Sequence, residues 1–151
     1  MVVTLTITEE AVAKARPRVS SFGGKSRMYT PKKSQDFEYV IRRRAEEKIK
    51  KPLTGPISVE IDLQLKRPKY MMKKTMTNPK CYNTKRPDID NYIKSILDGL
   101  NGVAFEDDGQ VAEIIVRKWY HAGGERPTTT IIIKQLEQIE PVKIKKRKGK
   151  K

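Results

Sequence analysis

The 151-residue sequence has a single cysteine, Cys81, and a single histidine, His121. One cysteine excludes an intrachain disulfide and any cysteine-built zinc cluster, and it makes a reducing cytosol the default compartment. No apolar run approaches the ~18 residues of a membrane span. Met1 to Glu10 alternates polar and apolar residues, which fits no signal peptide. The expectation is a soluble, cytoplasmic protein with no membrane partner. Acids are scarce as well, with 18 Asp+Glu against 33 Lys+Arg and a formal charge of +15. Seven of those cations (Lys143, Lys145, Lys146, Arg147, Lys148, Lys150 and Lys151) follow Pro141, and the chain before them is still basic. Such an excess concentrates polyanions, of which nucleic acid is the commonest.

What is present reads as one domain over residues 1–140, followed by a disordered lysine-rich tail at 141–151. Val3, Leu5 and Ile7 alternate with threonines as in a half-buried strand. Residues 14–33 are basic and irregular, carrying Arg16, Arg18, Lys32 and Lys33. Gly23-Gly24 predicts a turn between two short runs, hence a hairpin that can follow a phosphate backbone. Ser34 is the expected N-cap of a helix with Asp36 and Glu38 in its first turn; Phe37, Val40, Ile41, Ala45 and Ile49 have helical spacing, and Pro52 stops it. Ile57 to Leu65 alternates without a break and is the clearest strand.

From Lys66 to Arg86 there are eight basic residues and no acid, with Tyr70, Tyr82 and three methionines among them. Cations mixed with aromatics suit unpaired or distorted nucleic acid, and Lys73, Lys74, Lys85 and Arg86 are the candidate contacts. Gln110 to Tyr120 and Thr128 to Ile133 are β-rich on either side of Gly123-Gly124 and predict an antiparallel pair. His121 is expected to be an exposed loop residue. The whole predicts an α+β fold, a small mixed β-sheet packed against two α-helices.

Against this basic background the acids gather at one place. Pro87-Asp88 opens a helix that Asn101-Gly102 closes. At 100° per residue, Tyr92, Ile93, Ile96, Leu97 and Leu100 fill an arc of about 140°, the expected buried face. Asp90, Lys94 and Asp98 stand four apart on the neighbouring arc, and Asp88 reaches the same region as Asp90. Asp107-Asp108 follows beyond the helix. Each piece has an ordinary reading: an N-cap, a dipole-compensating acid, an i,i+4 ion pair, a turn. Together they make the set that metal-dependent phosphodiester cleavage needs. Magnesium takes carboxylate oxygens plus water and substrate phosphate, and a nearby lysine can neutralise charge building on the phosphorane.

The run Pro87-Asp88-Ile89-Asp90-Asn91-Tyr92-Ile93-Lys94, with Leu97-Asp98-Gly99-Leu100-Asn101-Gly102 and Asp107-Asp108-Gly109-Gln110-Val111, resembles the signature of the RusA family of Holliday junction resolvases. Arg16-Pro17-Arg18 and Tyr29-Thr30-Pro31-Lys32-Lys33 resemble that family's N-terminal block. The resemblance implies a homodimeric, Mg2+-dependent endonuclease, with Mn2+ as a substitute, that cuts four-way DNA junctions by paired symmetric nicks in recombination and repair. It implies Asp88, Asp90 and Asp108 as metal ligands, with Asp107 the alternative to Asp108. It makes Lys94 the catalytic lysine and places Asp98 behind the ligands. It also implies a bacterial or phage product acting in a bacterial cytoplasm on branched double-stranded DNA. The alternatives are a flap- or fork-selective nuclease and a non-catalytic basic DNA- or RNA-binding protein.

Overall fold

A computed structural model describes residues 1–73 and 79–144. The expected DNA contact Lys74 and residues 145–151 of the lysine-rich tail lie outside the described residues. The strands are β1 (Val2–Ile7), β2 (Arg18–Phe22), β3 (Lys25–Tyr29), β4 (Ile57–Leu65), β5 (Cys81–Tyr82), β6 (Val111–Tyr120) and β7 (Thr128–Gln135). The helices are α1 (Lys32–Lys48) and α2 (Ile89–Leu100), with short 3-10 turns at Lys69–Met72 and Asp108–Gln110. Among the described residues no helix is long and apolar enough to cross a membrane.

The expected α+β architecture is what forms. Five strands make one mixed sheet in the order β1-β7-β4-β6-β5, and β2-β3 is a separate hairpin. β4 lies at its centre, antiparallel to β7 and parallel to β6. The inward register of β4 (Ile57, Val59, Ile61, Leu63, Leu65) is buried and joins Leu5, Ile7, Ile131 and Ile133 from its neighbours. Phe37, Ile41 and Ala45 of α1 and Tyr92, Ile96 and Leu100 of α2 close over that same face. The opposite register of β4 carries Glu60, Asp62 and Gln64.

Several expectations need correction. β6 and β7 run in opposite directions but are not a pair, because β4 lies between them. The most regular apolar strand takes the position where both backbone edges and one whole face are covered. Ser34 is not the N-cap of α1: Pro31 is, without a side-chain cap bond. Ser34 Oγ instead accepts from the Ala15 amide at 3.2 Å and faces the Ala13 carbonyl. Asp36 and Glu38 accordingly fall beyond the first turn.

On α2 the buried residues are Tyr92, Ser95, Ile96, Gly99 and Leu100, while Ile93 and Leu97 are only half-buried. The arc is rotated because α1 packs closely on the small side of α2. A Cβ on Gly99 would stand 2.9 Å from the Glu38 carbonyl oxygen and 2.9 Å from Ile41 Cβ. His121 is buried, not exposed. Its Nδ1 lies 2.7 Å from the Ala122 carbonyl oxygen, and its own carbonyl accepts from Arg67 Nε at 2.5 Å.

Candidate active site

Asp88 occupies the N-cap position of α2, yet its carboxylate makes no cap hydrogen bond. The Asn91 amide turns to the Asp88 main-chain carbonyl instead, at 3.2 Å. Asp90 follows in the first turn, where the helix dipole favours a negative charge. The i,i+4 ion pair between Asp90 and Lys94 is not formed, and among the described residues neither these two side chains nor the Asp88 carboxylate has a hydrogen-bond or ion-pair partner. All three are exposed. Asp88 lines an open cleft of about 640 Å³ with Tyr82, Asn83, Thr84, Val116, Arg117 and Lys118.

The other acids are differently placed. Asp107 is used locally: it caps the 3-10 turn, accepting from the Gly109 amide at 3.3 Å. Gln110 closes this capping box through its Oε1, which accepts from the Asp107 amide at 3.1 Å. It also anchors the turn by donating to the Leu53 and Gly55 carbonyls, both at 3.0 Å. Asp108 is held out on this fixed turn, exposed, its carbonyl accepting from the Val111 amide and its carboxylate without a partner among the described residues. Asp98 is engaged elsewhere, 2.8 Å from Lys14 Nζ, which also lies 2.5 Å from Glu38. Burial alone would lower the Lys14 pKa, but hydrogen bonds and charge from Asp98 and Glu38 outweigh it and hold the ammonium above its ordinary value.

Within one chain the predicted ligands do not converge. Among the described residues no group of three His, Cys, Asp or Glu side chains is arranged to hold a metal ion. Asp88 lies beside Val116–Lys118, near the C-terminal end of β6, whereas Asp108 directly precedes the N-terminal end of that strand. Asp88 and Asp90 are neighbours on α2, and Asp108 stands apart from them.

The expected DNA contacts that fall among the described residues are all exposed. Every residue of the β2-β3 hairpin is exposed, with Gly23 and Gly24 at φ 60° and 76° making its turn. Arg16 leads into it and Arg18 begins it. The segment before it is tied to α2 by the Lys14 amide, which donates to the Asn91 carbonyl at 2.8 Å. Lys32 and Lys33 sit in the first turn of α1, Lys73 just after the Lys69–Met72 turn, and Lys85 and Arg86 in the turn that delivers Asp88; all are exposed.

A family model described as Endodeoxyribonuclease RusA matches residues 9–134. The chain belongs to the RusA endodeoxyribonuclease family. A protein of Bacillus subtilis (strain 168) named Uncharacterized protein YqaN is 31% identical over 140 residues, covering 89% of this chain and 96% of that protein. The residues that sequence reasoning missed on this RusA-type chain are structural partners of the site. Lys118 donates to the Lys85 and Pro87 carbonyls, and Asn83 holds the amide of Lys85. Buried Arg67 bonds the carbonyls of Met71, Pro79 and His121 and so ties the two ends of the basic loop. Lys118 had a sequence signal, since it is the charged residue in the inward register of β6 between Val116 and Tyr120.

Proposed function

We propose that the protein is a Mg2+-dependent, structure-selective endodeoxyribonuclease that resolves four-way DNA junctions as a homodimer, making paired symmetric nicks. The observation that carries this reading is a set of charges that the fold does not use. Asp88 sits at an N-cap without capping, and Asp90 and Lys94 are one turn apart without pairing. A protein that only binds DNA gains nothing from free carboxylates turned toward phosphate.

The donor set fits a hard cation. Asp88 and Asp90 supply carboxylate oxygens, and Mg2+ is commonly held by one or two carboxylates with water and substrate phosphate completing the shell. When bound there, the cation would polarise the scissile phosphate and make a water nucleophilic near neutral pH. The chain's own contribution is to orient and neutralise. α2 fixes both acids on one exposed turn. Lys94, one turn further on, meets negative charge developing on the phosphorane. The hairpin, Lys32, Lys33, Lys85 and Arg86 hold the flanking backbone.

The separation of Asp108 from Asp88 supports the dimer. Among the described residues the outer edge of β6 is bonded only from Lys118 to Tyr120, and its Ile114 and Ile115 are 40% and 41% exposed. An uncovered apolar edge strand is a template for another strand. A two-fold pairing of β6 with a second copy about Ile114 sets Val111 opposite the partner's Arg117 and stops short of the edge that β5 and Asn83 already cover. Asp108 of each copy then approaches the Asp88–Asp90 turn of the other. Asp107, committed to its own cap, leaves Asp108 as the donor in this arrangement. Two such sites related by a two-fold axis match the symmetry of a four-way junction.

The test is cleavage of a synthetic four-way junction with and without Mg2+, beside linear duplex, flap and fork controls. Mg2+-dependent paired nicks in the junction, abolished by Asp90→Asn, are expected. Preferential cutting of flaps or forks would move the substrate away from junctions. Undiminished cleavage by Asp90→Asn would remove the metal-site assignment, and binding of every nucleic acid without cleavage would leave a DNA- or RNA-binding protein.

A further inference from the structure

Asp88 is delivered by residues 83–87, a segment with no helix or strand geometry of its own. What holds it is Lys118. This residue lies opposite Leu63 in the β4–β6 register, on the face of the sheet that Val116 helps to pack. A lysine there must lead its chain out of the apolar layer, and this one ends on backbone. Its ammonium donates to the Lys85 carbonyl at 2.7 Å and to the Pro87 carbonyl at 2.8 Å. Its own carbonyl accepts from the Asn83 amide at 2.9 Å. Asn83, 9% exposed, completes the arrangement with Oδ1, which accepts from the Lys85 amide at 2.9 Å. Alternate residues of the segment are therefore bonded to one β6 residue or to each other, and the last bond falls one residue before Asp88.

We propose that Lys118 is a positioning residue of the nuclease site: by binding the Lys85 and Pro87 carbonyls it fixes where the Asp88 carboxylate stands. The inference rests on Asp88 being a metal donor of the proposed nuclease. No carboxylate lies within ion-pair distance of Lys118 among the described residues, so its charge is spent on two carbonyl dipoles. Lys118 and Asp88 also line the same cleft, which gives the competing role to be separated: a direct contact between Lys118 and a DNA phosphate.

The experiment uses the full chain with Lys118→Met, Lys118→Arg and Asn83→Ala. Three quantities are read: Mn2+ binding without DNA by calorimetry, four-way-junction binding in Ca2+ at several salt concentrations, and single-turnover cleavage against Mg2+ concentration. Loss of a group that orients a metal ligand typically weakens metal binding or activity by about 10–100-fold. Lys118→Met is expected to weaken Mn2+ binding and raise the Mg2+ requirement on that scale, with junction affinity and its salt slope unchanged. Lys118→Arg, which keeps donors at the carbonyls, and Asn83→Ala are expected to show smaller shifts in the same direction.

Wild-type Mn2+ affinity in a folded Lys118→Met protein would overturn the proposal. So would a fall in junction affinity with the salt slope reduced by about one, the mark of a lost phosphate contact. If Lys118→Met does not fold, Mn2+ affinities in both Lys118→Arg and Asn83→Ala equal to wild type overturn it equally. A wild type that binds Mn2+ and cuts junctions beside an indistinguishable Lys118→Met sinks this inference alone. A wild type that binds no Mn2+ and cuts no DNA ends the nuclease reading and this one with it.

Discussion

A site shared between two copies can be separated from a site within one copy by mixing two dead variants. Val111 and Arg117 are six steps apart on β6, which at ~3.3 Å per residue is about 20 Å. Carboxylates sharing one Mg2+ at ~2.0–2.1 Å must approach to a few ångströms. Asp108 of one chain therefore does not join Asp88 and Asp90 of the same chain without a rearrangement of the sheet. Asp90→Asn and Asp108→Asn should each lower nicking by about 10²–10³-fold, the scale of losing one electrostatic group at a reacting centre. In a mixed dimer carrying one variant in each copy, one site loses both acids. The other keeps Asp88 and Asp90 from the Asp108→Asn copy and Asp108 from the Asp90→Asn copy. Dimers purified through two different tags should then nick at about half the wild-type rate, since one of two symmetric sites is whole. On a cruciform plasmid they should give nicked circles without the linear product of paired cuts. A mixed dimer no more active than its parents would refute the shared site and return all three acids to one chain, as would failure of the two tags to co-purify.

Gly99→Ala forces a methyl against the Glu38 carbonyl and Ile41; overpacking of this kind costs about 1–3 kcal/mol. Each kcal/mol should lower the melting temperature by about 2–4 °C, read by circular dichroism. Lys14→Met should destabilise by removing the link between Glu38 and Asp98. Because the folded Lys14 pKa is raised, its contribution is fully present below the unfolded lysine value near ~10.4 and is lost as pH rises through the higher folded value. Urea titrations should thus show a wild-type-to-variant gap that is constant near neutrality and closes in strong alkali. Junction affinity should fall about 10³–10⁵-fold between 50 and 200 mM salt if ~6–10 phosphates are engaged. Fluorescence anisotropy would show this, and a flat response would exclude the basic hairpin as a phosphate grip.

Local periodicity carried much of the fold. β1, β4 and both helices are where the apolar spacing predicts them, because each repeats one interaction along its length, and the hairpin lies where Gly23-Gly24 marks its turn. The errors came where a distant segment outbids the local one. Ser34 followed by Asp36 and Glu38 has the composition of a helix start, but Ala13 and Ala15 reach the Ser34 hydroxyl and the helix begins earlier. β6 and β7 have the spacing of a hairpin, yet β4 separates them, and no turn residue announces a strand arriving from fifty residues upstream. Ile93 and Leu97 lie on the apolar arc as counted, but close packing of α1 on Gly99 turned the helix away from them.

The candidate site was legible to a different depth. The residue types of α2 and their spacing stand in the sequence, and so does the pattern Asp107-x-x-Gln110, a capping box that commits the first acid of the pair and leaves Asp108 out. What the sequence does not carry is whether a carboxylate is free. An aspartate before a helix is read by default as its cap, and at Asp88 only the side-chain direction separates cap from ligand. That direction depends on where residues 83–87 are pinned, and the pin is a lysine on another strand, thirty residues further along. Lys118 could have drawn notice as a charge in an apolar register, but its partners are main-chain carbonyls, which every residue has. A contact made to backbone leaves no trace in the identity of the residue contacted, so a motif can be complete in sequence while its supports are not.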